Sequence, residues 1–234
     1  MKIIVTAGPT REYLDPVRFL SNPSTGKMGF AIAAEAARRG HDVTLIAGPV
    51  ALKTPDRVRR VDVTSARDML AAVREAMVGR AVPARRGAPG GRALSQPAVF
   101  ISTAAVADWR PAKCAAKKLK KSQMSGVLKL VRNPDILKTL AGLRRAETSR
   151  PTVAELRLVG FAAETDHVLD EAARKCREKG LSFIVANDVT QKGCGFGTDT
   201  NRVTFVFPDG TQKKLPLMTK RMVAKRILDE VSGL

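Results

Sequence analysis

Histidine, tyrosine and tryptophan are almost missing from this chain of 234 residues, which holds two, one and one of them. Three cysteines, Cys114, Cys176 and Cys194, form no C-x-x-C pair, and His41 and His167 lie in unrelated places. That set argues against a structural zinc site and a disulfide framework, and it fits a reduced, cytoplasmic setting. The lone tyrosine, Tyr13, is followed four residues later by Val17. The Tyr-x-x-x-Lys pair of short-chain nicotinamide oxidoreductases is therefore missing. Aromatics make up 4% of the chain, and no stretch alternates them with basic residues, so stacking on single-stranded nucleic acid has little to work with. No apolar run is long enough to span a bilayer, and Met1-Lys2 leads straight into an apolar strand with no signal-peptide pattern. Acidic residues are scarce too: 22 against 41 lysines and arginines, a net charge of +19. Such an excess favours acidic partners, from nucleotides and phosphorylated metabolites to nucleic acid.

What is present begins with SNPSTGKMG, Ser21 to Gly29, between the run KIIVT with its turn AGPT and a helical pattern, FAIAAEAARRG. A strand, a turn of small residues and a helix start make an anion-binding corner. The first backbone N–H groups of the helix point outward, and its dipole favours negative charge there. Asn22, Ser24, Thr25 and Lys27 add side-chain donors. A P-loop would need glycine at 21 and Ser or Thr at 28, where the chain has Ser21 and Met28. The dinucleotide fingerprint G-x-G-x-x-G is also missing from the first turn.

Strand and helix patterns then alternate. Helices are expected over Gly26–Arg39, closed by Gly40, and from Ser65, with Asp68 completing a capping box, to Val78. Others are expected over Pro134–Arg145, capped by Asn133, over Asp166–Lys179 and over Thr219–Val231. Strands are expected at DVTLIA, Arg59–Val63, AVFIS, Leu156–Phe161 and Ser182–Ala186. This order predicts a single α/β domain, residues 1–234, with an open, mostly parallel, Rossmann-like sheet and helices on both faces. Arg202–Phe207 and Thr211–Leu215, joined by Pro-Asp-Gly, read as a β-hairpin. With a strand at Leu128–Arg132 they predict a small antiparallel extension of the kind used in dimerisation. Gly79–Pro97 reads as a flexible inserted loop, and Ala146–Ala154 as a shorter break.

Several expected strand ends carry small or polar groups. TAAVADWRP (Thr103–Pro111) follows AVFIS and offers the Asp108 carboxylate to a metal or a ligand hydroxyl. GFAAET puts Phe161 where it can stack on a base. ANDV (Ala186–Val189) ends the next strand, and Lys175 and Lys179 share a helical face. Ligands of open parallel sheets bind along that edge. Five lysines within Lys113–Lys121 predict a mobile flap, residues 112–125, that closes on phosphates.

AGPTREYLDPVRFLSNPSTGKMG, AAVADWRP, KLKK, NPDI, GFAAET and ANDV occur here in the order seen in the phosphopantothenate–cysteine ligases, which the chain resembles from Lys2 to about Val231. The resemblance implies ligation of L-cysteine to 4′-phosphopantothenate in coenzyme A biosynthesis. CTP would be co-substrate, Mg²⁺ the cofactor and an acyl-cytidylate the intermediate. It implies a homodimer whose flap and extension reach the neighbouring subunit. The chain looks like a stand-alone form, with a decarboxylase as a possible separate partner. Carried over by motif, Asn22 would orient the acyl group, with Arg18 and Ala105 at the same substrate. Lys118, or Lys117 if KKLKK is read one residue earlier, would act on the triphosphate. Ser102, Thr103 and Ala104 would meet the nucleotide through their backbone, and Asp108 the nucleotide or its metal. Pro134, Asp135, Ile136 and Leu137 would line the nucleotide, Phe161 would pack on the base, and Lys175 and Lys179 would reach the phosphates. The rival reading, a basic nucleic-acid-binding α/β module, accounts for the charge but not for the motifs at strand ends.

Overall fold

The computed structural model describes residues 1–78, 98–120, 126–146, 156–164, 166–191 and 193–233. The expected loop 79–97, most of the break at 146–154 and the flap residues 121–125 lie outside these.

β1 (Lys2–Ala7) is an interior strand of an eight-stranded sheet. Its Ile3, Ile4 and Val5 are fully buried because helices cover both faces, which is why KIIVT is a continuous apolar run rather than an alternating one. On one side of it lie β4 (Asp42–Ala47) and β5 (Val58–Asp62), both parallel. On the other side follow β6 (Ala98–Ser102), β9 (Arg157–Glu164) and β10 (Phe183–Asp188), again parallel. Chain order reverses between β1 and β6, so a crevice opens there at the carboxyl ends of the strands. The predicted hairpin is present as β12 (Val203–Val206) and β13 (Gln212–Lys214). It does not stand apart as an extension, because β12 pairs antiparallel with β10 and prolongs the main sheet.

Alternate strand residues feed two cores. Ile3, Val5 and Leu45 pack under α1 (Lys27–Arg38) and the last helix, α5 (Lys220–Ser232). Ile4, Ile46 and Phe100 pack under α2 (Ala66–Val78), α3 (Ile136–Ala146) and α4 (Val168–Glu178). Each large side chain so buried contributes about 1.5–3 kcal/mol. Ala33, Ala36 and Ala37 let α1 lie close to Val223, Ile227 and Val231 of α5. Glu35 of α1 accepts from Arg38 and Arg39, and Arg39 reaches Asp229 of α5 at 2.8 Å. Arg38 first, then Arg39, hold the Glu35 carboxyl down to about 2, against the opposing effect of its burial.

The capping expectations hold at two helices. Gly40 adopts φ +80° after α1, and Ser65 and Asp68 exchange hydrogen bonds at the start of α2. At α3 the cap is Asp135, whose Oδ1 accepts from the Lys138 amide at 3.0 Å, not Asn133. Asn133 instead joins two strands: its Nδ2 donates to the Ala107 carbonyl and its Oδ1 accepts from Arg110.

Three short strands escaped the sequence reading, β2 (Arg11–Tyr13), β3 (Phe19–Ser21) and β7 (Trp109–Pro111), whereas β8 (Leu130–Arg132) falls within the expected strand Leu128–Arg132. They form two antiparallel ribbons, β2–β3 and β7–β8, in contact through β2 and β7. A last small ribbon joins β11 (Thr200–Asn201) to β14 (Met218–Thr219). Among the described residues no helix is long and apolar enough to cross a membrane.

Candidate active site

The crevice holds a cleft of about 310 Å³. Its floor is the start of α1. Gly26 takes a left-handed conformation (φ 77°) and gives α1 no side-chain cap, so Lys27, Met28 and Gly29 open the helix on the cleft wall. Gly29 is required by proximity: a Cβ there would come within 2.5 Å of the Ala7 Cβ and would strike the Thr103 hydroxyl.

The opposite wall is the segment after β6. Thr103, Ala104, Ala105, Val106 and Asp108 line it. Its backbone is fixed by β1 and the turn after it. The Thr103 hydroxyl donates to the Thr6 carbonyl at 2.6 Å, the Ala105 amide to the Gly8 carbonyl at 2.9 Å and the Ala107 amide to Thr10 Oγ1 at 3.0 Å. The Thr103 and Ala104 amides are turned to Thr6 as well, so these two are taken up within the fold. Asn22 Nδ2 donates to the Ala105 carbonyl at 3.1 Å, which brings together two of the residues expected at the substrate.

Phe161 and Ala163 of β9, Lys175 and Lys179 at the end of α4, and Asn187 of β10 close the third side. Lys179 pairs with Asp135 at 2.8 Å. Burial pushes the Asp135 carboxyl up, but the Lys138 amide and the Lys179 ammonium together hold it below the ordinary range. Asn187 donates through Nδ2 to the Cys194 carbonyl, while its buried Oδ1 has no hydrogen-bond partner. That oxygen is where an N–H of a ligand would pair.

Other expected residues are placed differently. Ser102 ends β6 short of the cleft lining. Ile136 and Leu137 are buried in the second core, because the amphipathic face of α3 needs them there, and they do not line the cleft. Of NPDI, only Asp135 touches the site, through Lys179. Arg18 stands outside the cleft and fastens the flap. It pairs with the fully buried Asp15 side chain at 2.6 Å and donates to the Leu119 carbonyl at 3.1 Å. Asp15 also accepts from the Leu119 amide at 3.2 Å. The Arg18 guanidinium, aided by backbone donors, holds the Asp15 carboxyl well below the usual carboxylate range. Lys117 and Lys118 are exposed on the flap and do not line the cleft of their own chain.

Asp108 is an exposed carboxylate on the cleft wall, and the described residues contain no cluster of three metal-ligating side chains. A lone carboxylate suits Mg²⁺ carried by a nucleotide, which takes one or two protein oxygens and completes its shell with phosphates and water.

Sequence reasoning missed Thr25 as a structural donor, the glycine-rich loop at Gly195 and Phe196, and Lys220. Lys220 had one legible signal: a cation in the first turn of a helix opposes the dipole and needs a reason to be there.

An open, mostly parallel α/β sheet with an uncapped helix start and lysines around the crevice defines a Rossmann-like α/β protein. The comparisons narrow this. Residues 1–84 and 91–234 match the DNA/pantothenate metabolism flavoprotein C-terminal domain, and the chain belongs to that family. The unmatched residues 85–90 fall inside the expected insertion. The chain is 46% identical over 234 residues to the coenzyme A biosynthesis bifunctional protein CoaBC of Escherichia coli K12, covering 99% of this chain and 51% of that protein. It is 42% identical over 233 residues to the same protein of Bacillus subtilis 168. It thus spans about half the length of these relatives. The crystal structure of a C-terminal domain of CoaBC superimposes with a TM-score of 0.73 at 40% identity, covering 98% of this chain and 93% of that one. A Cab2 mutant in complex with phosphopantothenate-cysteine (TM-score 0.69, 15% identity, 99% of this chain and 88% of that one) attests the fold alone.

Proposed function

We propose that this chain ligates L-cysteine to 4′-phosphopantothenate at the expense of CTP, as a step of coenzyme A biosynthesis. The observation that carries the reading is the α1 start at Gly26–Gly29, set against the Thr103–Asp108 wall with Lys175 and Lys179 across from it. Membership of the pantothenate-metabolism family and near half-identity to a coenzyme A biosynthesis protein over 99% of the chain support it.

In the first step the phosphopantothenate carboxylate attacks the α-phosphorus of CTP, forming the acyl–phosphate bond as pyrophosphate leaves. Little proton transfer is needed, so charge neutralisation does most of the work, and a site without histidine is sufficient. The helix start and the lysines bind the anions, Phe161 packs on the base, and Lys118 of the flap closes over the triphosphate. Mg²⁺ beside Asp108 would supply further charge compensation to the phosphates when bound. In the second step the cysteine amine attacks the acyl carbon, CMP leaves and the amine loses a proton. Asn22, placed by the Ala105 carbonyl, orients the acyl group.

The unit that works is read as a homodimer. Six of the nine exposed large apolar side chains among the described residues, Val17, Phe19, Trp109, Val127, Leu128 and Leu130, lie on the two ribbons or beside them. The flap hangs from the same place. A second copy would cover this patch and receive the flap.

The test is product formation from 4′-phosphopantothenate, Mg²⁺ and CTP or ATP, with and without cysteine. CTP-dependent pyrophosphate release, with phosphopantothenoylcysteine and CMP formed only when cysteine is added, is expected. No turnover with either nucleotide would reject the reading.

A further inference from the structure

One wall of the cleft is a loop that is anchored at the buried Cys194 and opens beyond it into glycines with free space around them. Gly195 and Phe196, from the glycine-rich run Gly193–Asp199, border the cleft, and a Cβ placed on Gly195 or Gly197 would meet nothing within 4 Å. Its position is set by polar contacts. The Lys220 ammonium donates to the carbonyls of Thr198 at 2.6 Å, Phe196 at 3.2 Å and Gly195 at 3.4 Å. Thr25 donates to the Phe196 carbonyl at 2.8 Å, and Lys27 to the Gly197 carbonyl and to Asp199 at 2.9 and 2.7 Å.

Lys220 itself is 7% exposed. Burying an ammonium among carbonyls costs desolvation that a neutral side chain would avoid. Its place in the first turn of α5 adds an unfavourable dipole. Two things offset this. All three donors of the ammonium are used, and three loop carbonyl oxygens, two of them on the cleft residues Gly195 and Phe196, are neutralised. Behind Lys220 and Lys27 lies a second cavity of about 420 Å³, which Asp199 at the end of the same run also lines.

We infer that Lys220 is a positioning residue that holds the Gly195–Thr198 wall in its nucleotide-accepting form. Its effect on nucleotide affinity rests on the function proposed above, while the effect on the loop does not. The test therefore has two readouts on Lys220→Met, Lys220→Arg and the exposed neighbour control Arg221→Met: chymotryptic cleavage after Phe196, and calorimetric binding of CTP. Lys220→Met is expected to speed cleavage after Phe196 and weaken CTP binding, each by about tenfold, with Lys220→Arg recovering part of both because it keeps the charge. Arg221→Met should match the wild type. Wild-type cleavage and CTP affinity in Lys220→Met would overturn the assignment. If the wild type binds no CTP, the function fails, but cleavage after Phe196 still decides whether the clamp exists. If Lys220→Met does not fold, Thr25→Val, which removes only the bond to the Phe196 carbonyl, should show the same two changes more weakly. No change in either would reject the clamp.

Discussion

The cleft and the ribbon region are built on opposite principles. Around the cleft, the Thr103–Ala107 segment, the α1 start and the 193–199 loop are fastened by hydrogen bonds within one chain. The ribbons and flap expose apolar side chains and lysines, and the described part of the flap is tied back at Leu119, by Asp15 and Arg18, and at Ala115, by the Leu14 carbonyl. On the function proposed above, the first region is finished by its own fold, whereas the second would be completed by a second copy and an anion. The proposed closure of a charged flap over a fixed receiving site would suit chemistry in which charge must be neutralised only once the substrates are in place.

The comparison breaks first if the cleft is not rigid. Gly29→Val forces side-chain atoms into Ala7 and Thr103, so the protein should lose about 1–3 kcal/mol of stability and all detectable CTP binding. Thermal melting and calorimetry would check both, and a well-folded variant that binds CTP would mean this wall yields. Next comes the flap. Lys118→Gln should slow pyrophosphate release on the order of 100-fold with CTP affinity little changed, while Lys117→Gln stays near wild type. The reverse would place the acting lysine one residue earlier. Loosening the anchor should cost less: Asp15→Asn, which weakens the hold on Arg18 and Leu119, should lower pyrophosphate release about tenfold and leave CTP binding within about twofold. Equal losses in binding and rate would dissolve the distinction between the regions.

The smallest effect concerns acid. The folded-state pKa of Glu35 is depressed to about 2, so its contribution to stability is complete above its ordinary range near 4.5 and fades as pH falls toward 2. Glu35→Gln should therefore melt lower than wild type at neutral pH, and the gap should close as pH falls from 4.5 toward 2. A gap that stayed constant would place the effect in packing instead.

What was legible in the chain follows the same division. KIIVT, DVTLIA and AVFIS could be read because burial on both faces demands continuous apolar runs, and the Ser65–Asp68 box and Gly40 could be read because caps are local. β2, β3 and β7 were invisible: each is three residues long and held by a partner strand, with no periodicity of its own. The motif NPDI was read as lining, but Ile136 and Leu137 answer to the core under α3. Arg18 was read as a substrate group because nothing in the sequence shows that Asp15, three residues earlier, is buried and joined to Leu119. Lys220 depends on carbonyls more than twenty residues before it, which no local pattern encodes.

The central claim is that a finished cleft in one copy is completed by the flap of another. Mixing and re-associating two inactive variants, Asn22→Asp and Lys118→Gln, tests it directly by phosphopantothenoylcysteine formation. If the flap serves the partner's cleft, random pairing leaves about one site in four with both groups intact, and activity returns toward a quarter of wild type. If each flap closes on its own cleft, every site in the mixture keeps a defect and product stays at the level of the separate variants, which would contradict the account.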